Sequence, residues 1–120
     1  MSATKTDTAL VTDGYSISAG NTGYTSSTAT LTTSYGAVIL LTITNSGTQT
    51  AGVTAQIQCL DSASNIYQYG GALTAGLTTG ASYSWVVPIA IPCQYVNVLF
   101  VGATGNAATL HCHIETVTKI

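Results

Sequence analysis

Segment 111–115, with the sequence HCHIE, holds the densest group of side chains that could do chemistry. Alternate residues of a β-strand point to the same side, so His111, His113 and Glu115 would share one face. Two imidazoles and a carboxylate are donors that zinc accepts, so these three residues are our candidate metal ligands. The pattern is also typical of an ordinary strand with one polar face. This second interpretation is favoured, because the sequence shows no partners that would orient the ligands.

Groups suited to catalysis are scarce elsewhere in the chain. Its four carboxylates are Asp7, Asp13, Asp61 and Glu115, and Asp61 opens a turn, a common place for aspartate. A glycosidase pair needs two carboxyls roughly 5–9.5 Å apart across a cleft, and nothing in the sequence pairs these. There is no nucleophile elbow, HExxH metal motif or phosphate-binding glycine loop before a helix. We therefore predict no catalytic residue and no cofactor, and expect the protein not to be an enzyme.

The three cysteines are an odd number without a CxxC pair, which predicts neither a disulfide framework nor a zinc ribbon. Cys59 and Cys112 fall at positions expected to face inward, where cysteine behaves as a small hydrophobic residue. We expect Cys59, Cys93 and Cys112 to be reduced thiols in a protein made in a cytoplasm.

Two groups of aromatic residues could bind a ligand or simply pack. Tyr67 and Tyr69 are in phase beside a Gly-Gly turn and could stack on a sugar ring, as in carbohydrate-binding sandwiches. Packing or a protein interface is favoured, because tyrosine is common in both. Trp85 is in phase with Val87 and Ile89 along a strand pattern, which favours core packing.

The elements that must position these residues are strands. Segments 53–59, 83–89, 96–100 and 110–115 alternate apolar with polar residues, and Gly, Asn and Asp turns separate them. Segment 36–44 is continuously apolar, which predicts a central strand covered on both faces. About eight such strands predict an all-β, antiparallel β-sandwich of jelly-roll type in a single domain. Pro88 and Pro92 place the segment between them at a sheet edge or a bend.

The first residues differ from the rest of the domain. We predict an N-terminal arm and first strand over residues 1–13 and the sandwich over 14–120. Segment 2–8 is polar and does not alternate, which favours a frayed terminus over an arm that orders on a neighbouring subunit. It lacks the apolar core of a secretory signal.

Composition excludes two classes of partner. Only 5% of the 120 residues are charged, against about 25% in an ordinary soluble domain, and 46% are hydrophobic. Two lysines and no arginine exclude nucleic-acid binding, because each neutralised phosphate needs a cation. No apolar run approaches the ~20 residues of a spanning helix, so we expect no membrane partner. With 22 Thr and 11 Ser, the surface has little charge repulsion, which favours a packed assembly.

Segments 31–45, 61–71 and 83–89, together with the opening TKTDT at 4–8, resemble small virion proteins of tailed bacteriophages. The resemblance implies a non-enzymatic β-sandwich, most simply a capsid decoration (cement) protein on the outside of the shell. A tail, neck or fibre component is the alternative. A carbohydrate-binding module is a second alternative, from the tyrosine pair.

As a virion protein, the chain would be assembled in the host cytoplasm. Its partners would be the major capsid protein or other virion proteins and further copies of itself, with a trimer favoured. The candidate interface residues are Lys5, Asp7, Tyr67, Tyr69, His111 and His113.

Overall fold

The computed structural model describes residues 3–119, and these form eleven strands in two antiparallel sheets. The strands are β1 (Ala3–Ala9), β2 (Tyr15–Ile17), β3 (Tyr24–Thr25), β4 (Ala29–Thr30), β5 (Ser34–Asn45), β6 (Thr54–Leu60), β7 (Ile66–Gln68), β8 (Leu73–Thr74), β9 (Ser82–Ile89), β10 (Tyr95–Val101) and β11 (Ala108–Lys119). The predicted all-β sandwich is confirmed. More than eight strands are present because five of them are only two or three residues long. Residues 1, 2 and 120 of the predicted segments lie outside the described residues.

The first sheet has the order β1-β11-β5-β9, and β2 also pairs with β11. The second sheet has the order β3-β10-β6-β7, with β4 on β10 and β8 on β6. Every connection from β8 to β11 therefore crosses from one sheet to the other, as in a jelly roll. No helix within residues 3–119 is long and apolar enough to cross a membrane.

The core lies between the sheets and is built by alternation. On β5 the inward residues Ile39, Leu41 and Ile43 are fully buried, and the second sheet supplies Val98 and Phe100 opposite them. Trp85 is partly buried and packs against this core, as its phase predicts. Burial of these aliphatic and aromatic side chains is the main stabilising contribution to the domain.

Segment 36–44 departs from its prediction. β5 is central, with β11 on one side and β9 on the other, but only its inward face is covered. Val38 and Leu40, which point away from the core, remain partly exposed. Pro88 lies in β9 at the edge of this sheet, opposite Val38, and there its missing N–H costs no ladder hydrogen bond.

The expectation of a frayed N-terminus is wrong for residues 3–9. They form β1, which pairs in continuous register with residues 113–119 of β11. Side chains 4–9 are exposed, so the backbone ladder holds this strand rather than apolar burial. Pairing satisfies the N–H and C=O groups that β11 would otherwise present at an open edge.

The prediction of three reduced thiols is wrong for two of them. Cys59 and Cys93 form a disulfide with their Cα atoms 5.7 Å apart, and only Cys112 is free. Cys59 is near the end of β6, and Cys93 precedes β10, which pairs with β6, so the ladder brings both together. Cys112 does behave as a small hydrophobic residue: burial raises the pKa of its thiol to about 12. The inference of a cytoplasmic origin from reduced thiols therefore does not hold.

We expect reduction of the Cys59–Cys93 disulfide to destabilise the domain by about 2–4 kcal/mol, because the bond constrains the unfolded chain across a separation of 34 residues. Urea unfolding with and without reductant measures the change. The Cys59→Ser/Cys93→Ser double variant is the control and should be insensitive to reductant. Equal stability of the wild type in both conditions would contradict the prediction.

Candidate functional site

The candidate site is the outer face of the first sheet, the side that points away from the core. Directly opposed residues of antiparallel strands project to the same side, so the register arranges this face in rows. From one end to the other the rows are Lys5/Val117/Gly36, Asp7/Glu115/Val38/Pro88, Ala9/His113/Leu40/Val86, His111/Thr42/Ser84 and Thr109/Thr44/Ser82.

An apolar stripe crosses this face on three strands. It consists of Val38, Leu40, Val86, Pro88 and Val117. Val86 is 69% exposed, more than the other valines and the leucine of the stripe. Isolated exposed aliphatic residues are ordinary on a soluble protein, but a contiguous group is typical of an interaction surface. The stripe is therefore the first candidate for contact with another molecule.

Hydroxyl pairs border the stripe on one side. Thr42 and Ser84 are hydrogen-bonded at 2.9 Å between their hydroxyl oxygens, and Thr44 and Ser82 at 2.7 Å. Each hydroxyl retains further capacity to donate or accept. This part of the face is polar but uncharged, so it can form hydrogen bonds with a partner without burying an ion.

Ionic groups border the stripe on the side of β1. A groove of about 400 Å³ lies there, and Lys5, Asp7, Val38, Glu115 and Val117 are among its lining residues. Four of the candidate interface residues thus lie on the outer face: Lys5, Asp7, His111 and His113. The lining of the groove combines apolar side chains with charged side chains of both signs.

His113 is the centre of a cluster in this ionic part. Its side chain is 16% exposed, with Nδ1 2.8 Å from Asp7 Oδ1 and Nε2 2.6 Å from Asp13 Oδ1. Ionised carboxylates only accept hydrogen bonds, so this arrangement favours the imidazolium form of His113, in which both ring nitrogens donate. The hydrogen bond to Asp13, followed by that to Asp7, raises the pKa of His113. The same His113 bond lowers the pKa of Asp13.

His111 completes the cluster. Its Nδ1 is 3.2 Å from Asp13 Oδ1, and its ring stacks on that of His113 with centroids 4.5 Å apart. The three residues Asp13, His111 and His113 each offer a ligand atom within 4.8 Å of the others. Glu115 shares the face, as predicted, but is in the next row opposite Asp7 and is not in this group.

The prediction missed Asp13 because no local signal links it to β11. Asp13 precedes Gly14, whose φ of 78° is favourable for glycine, and this turn joins β1 to β2. Both of those strands pair with β11. Only that long-range pairing brings Asp13 over His111 and His113.

The two candidate tyrosines do not form an exposed pair. Tyr69 packs against the core, and its hydroxyl accepts a hydrogen bond from Ala90 N at 2.9 Å and donates to Pro88 O at 3.2 Å. Tyr67 is exposed and donates to Asp61 Oδ2 at 3.2 Å. The favoured packing interpretation is therefore correct for Tyr69, and a two-ring sugar platform is not present.

Comparison with known proteins shows a shared fold. No protein-family model matches it, and no curated protein matches its sequence. A chain in the structure of infectious bursal disease virus, Gx strain, matches 97% of this chain with TM-score 0.71 at 17% identity. This protein spans about a third of that viral chain, whose matched share is 32%.

Two smaller proteins match over most of their own length. The SPBc2 prophage-derived protein YomS has TM-score 0.53 at 14% identity, with 98% of this chain and 96% of YomS covered. The structure of Bacillus endospore appendages, which form disulfide-linked pili, has TM-score 0.55 at 14% identity, with 98% of this chain and 89% of the appendage chain covered. At these identities the likeness establishes a shared β-sandwich fold.

We expect NMR titration of His113 to give a pKa above the ordinary 6.5, because two carboxylates stabilise the cation. The stabilisation is fully present below pH 6.5 and is lost as the pH rises through the folded-state pKa of His113. The stability advantage of the wild type over His113→Gln should therefore shrink across that interval. Asp13→Asn should lower the His113 pKa, whereas Glu115→Gln serves as the control. A wild-type pKa at or below 6.5 would contradict this account.

Proposed function

We propose that this chain is a non-enzymatic structural subunit of a virus particle, and specifically a capsid decoration protein that binds the shell through the outer face of its first sheet. The observation that carries the proposal is on β5. Its sequence is that of a strand buried on both faces, but the folded chain covers only one. A neighbouring molecule on the outer face would complete the burial.

The apolar stripe supplies the attraction in this proposal. Full burial of an exposed Val or Leu side chain is worth roughly 1.5–3 kcal/mol, before the loss of translational and side-chain freedom on binding. Val86 has the most apolar surface to bury among the valines and the leucine of the stripe, because it is the most exposed of these residues. One such contact is modest, but a symmetric shell repeats it at many sites, and linked copies would add avidity.

Attachment through neutral contacts would use the apolar stripe and the hydroxyl pairs, because the charged residues of this face, Lys5, Asp7, Asp13 and Glu115, lie at its β1 margin. Asp61 is the one Asp, Glu, Lys or Arg residue between residues 14 and 114. Asp61 accepts hydrogen bonds from Ala63 N and Asn65 N within its own turn, which occupies much of its capacity. Contacts without ion pairs are little affected by salt screening. A protein that binds only the assembled shell stabilises it by mass action, by RT ln(1 + [L]/Kd) per site.

The matched folds support assembly as the general role. One belongs to a virus structure and one to a prophage-derived protein of nearly the same length. We further propose that the chain works as a homo-oligomer, most simply a trimer, on the major capsid protein, within virions assembled in the host cytoplasm.

A fibre or tail component is the second candidate, because the Bacillus endospore appendages that share this fold form disulfide-linked pili. Disulfide linkage between subunits, as in those pili, would need an accessible thiol. Among residues 3–119, Cys59 and Cys93 are bonded to each other and Cys112 is buried. A fibre built from this chain would therefore be held by non-covalent contacts, as the decoration protein would be.

The test is to mix purified protein with shells assembled without it and to image them. We expect density on the capsid lattice that persists in about molar salt, where screening removes most ionic attraction. Bare shells would contradict the decoration role, and release by salt would contradict the neutral contact.

Val86→Lys should reduce shell binding at least tenfold, because it places a charge in the apolar stripe, and burying an unpaired charge is costly. The matched control is Ile66→Lys, on the edge strand β7 of the second sheet, since Ile66 is an aliphatic residue with a similar exposure of 57%. Co-sedimentation with shells measures both variants. Equal binding by the two would show that the outer face is not the contact surface.

A further inference from the structure

We propose that Asp13, His111 and His113 bind one Zn²⁺ ion at the margin of the outer face. The site is independent of the proposed virion role, because it rests on the side chains of one folded chain. Each of the three residues offers one ligand atom within 4.8 Å of the others. The ring nitrogens that face Asp13 Oδ1 are His111 Nδ1 and His113 Nε2.

The spacing of the donors is close to what zinc requires. With bonds of about 2.0–2.2 Å, the ligand atoms of a tetrahedral zinc site are separated by about 3.3–3.6 Å. His111 Nδ1 is already 3.2 Å from Asp13 Oδ1. His113 Nε2 is 2.6 Å from the same oxygen, so this pair must open by less than about an ångström for the metal to enter. Asp13 is 62% exposed and precedes the Gly14 turn, so its carboxylate has room to make that shift.

Asp7 supplies the feature that separates this cluster from a chance pair of surface histidines. Its Oδ1 accepts the hydrogen bond from His113 Nδ1 at 2.8 Å, which fixes the ring and directs Nε2 toward Asp13 and His111. A carboxylate on the far nitrogen of a ligating histidine is the usual orienting partner in zinc proteins. His113 is also the least exposed member of the cluster, so its ring is held by its surroundings.

The donor types select the class of metal. Two imidazole nitrogens and one carboxylate suit zinc and its neighbours, whereas Mg²⁺ and Ca²⁺ prefer sites made wholly of oxygen. Cys112 lies between the two histidines in sequence but points into the core, so no thiolate takes part. Three protein ligands leave one tetrahedral position open to water or to a group on a contacting molecule.

The alternative occupant of the site is a proton. When His113 is a cation, its Nε2–H fills the space between the ring and Asp13 that the metal would take. Both arrangements keep the Asp7 hydrogen bond, but only the metal draws His111 Nδ1 and His113 Nε2 onto one centre. The two arrangements therefore differ at the His111 ring, which a proton on His113 leaves unbound.

Titration calorimetry of the full chain with ZnCl₂ tests the proposal. We expect one Zn²⁺ per chain. His111→Gln and Asp13→Asn, which alter exposed side chains, should each lower the affinity at least tenfold, because each removes one of three ligands. Asp7→Asn should lower it roughly 10–100-fold through loss of the orienting carboxylate. Glu115→Gln is the matched control, a neutralised carboxylate one row away on the same face, and should bind as the wild type does.

NMR provides a readout that does not depend on affinity. Zn²⁺ should shift the Nδ1 resonance of His111 and the Nε2 resonance of His113 together, and a large excess of Mg²⁺ should not reproduce the shifts. Circular dichroism should confirm that each variant is folded. Absence of binding by the wild type at about 100 μM Zn²⁺, or equal affinities of Asp13→Asn and Glu115→Gln, would overturn the proposal. A shift confined to His113 would also overturn it, because it would indicate a single histidine contact.

Discussion

Two packed sheets have only one interior, so each can bury only the face that it turns toward the other. In this chain the inward residues of β5, such as Ile39 and Leu41, satisfy that rule completely. The outward residues Val38 and Leu40 are nearly as apolar and have no second layer above them. This imbalance between what the sequence can bury and what one domain can cover is the constraint on which the functional account depends.

Strand β11 joins β5, with its uncovered outer face, to β1 and β2. It pairs with β5 along one edge and with β1 and β2 along the other, so these three strands take their register from it. Its inward residues Leu110, Cys112 and Ile114 belong to the core. Its outward residues form the boundary between the apolar stripe and the ionic groups. A single twelve-residue strand thus positions both the proposed contact surface and the proposed metal ligands.

The sequence was informative wherever the signal was local. Two-residue alternation identified the long strands, Pro88 indicated an edge, and the phase of Trp85 predicted its packing. The predictions for the cysteines, the N-terminal segment and the histidine cluster were wrong for a different reason. In each case the residues that interact are far apart in the chain. Cys59 meets Cys93 only through the β6–β10 ladder, and segment 3–9 becomes a strand only because β11 offers it an unpaired edge. Asp13 replaces Glu115 in the histidine cluster for the same reason.

In the proposed function, the outer face of the first sheet is covered when the protein is assembled. Maleimide labelling of a Val86→Cys variant tests it most directly, because Val86 is 69% exposed in the free chain and the native free cysteine is buried. The account predicts rapid labelling of free protein and protection once the variant is bound to shells, with an Ile66→Cys variant labelled in both states. Labelling of Val86→Cys at the same rate in free and shell-bound protein would contradict it.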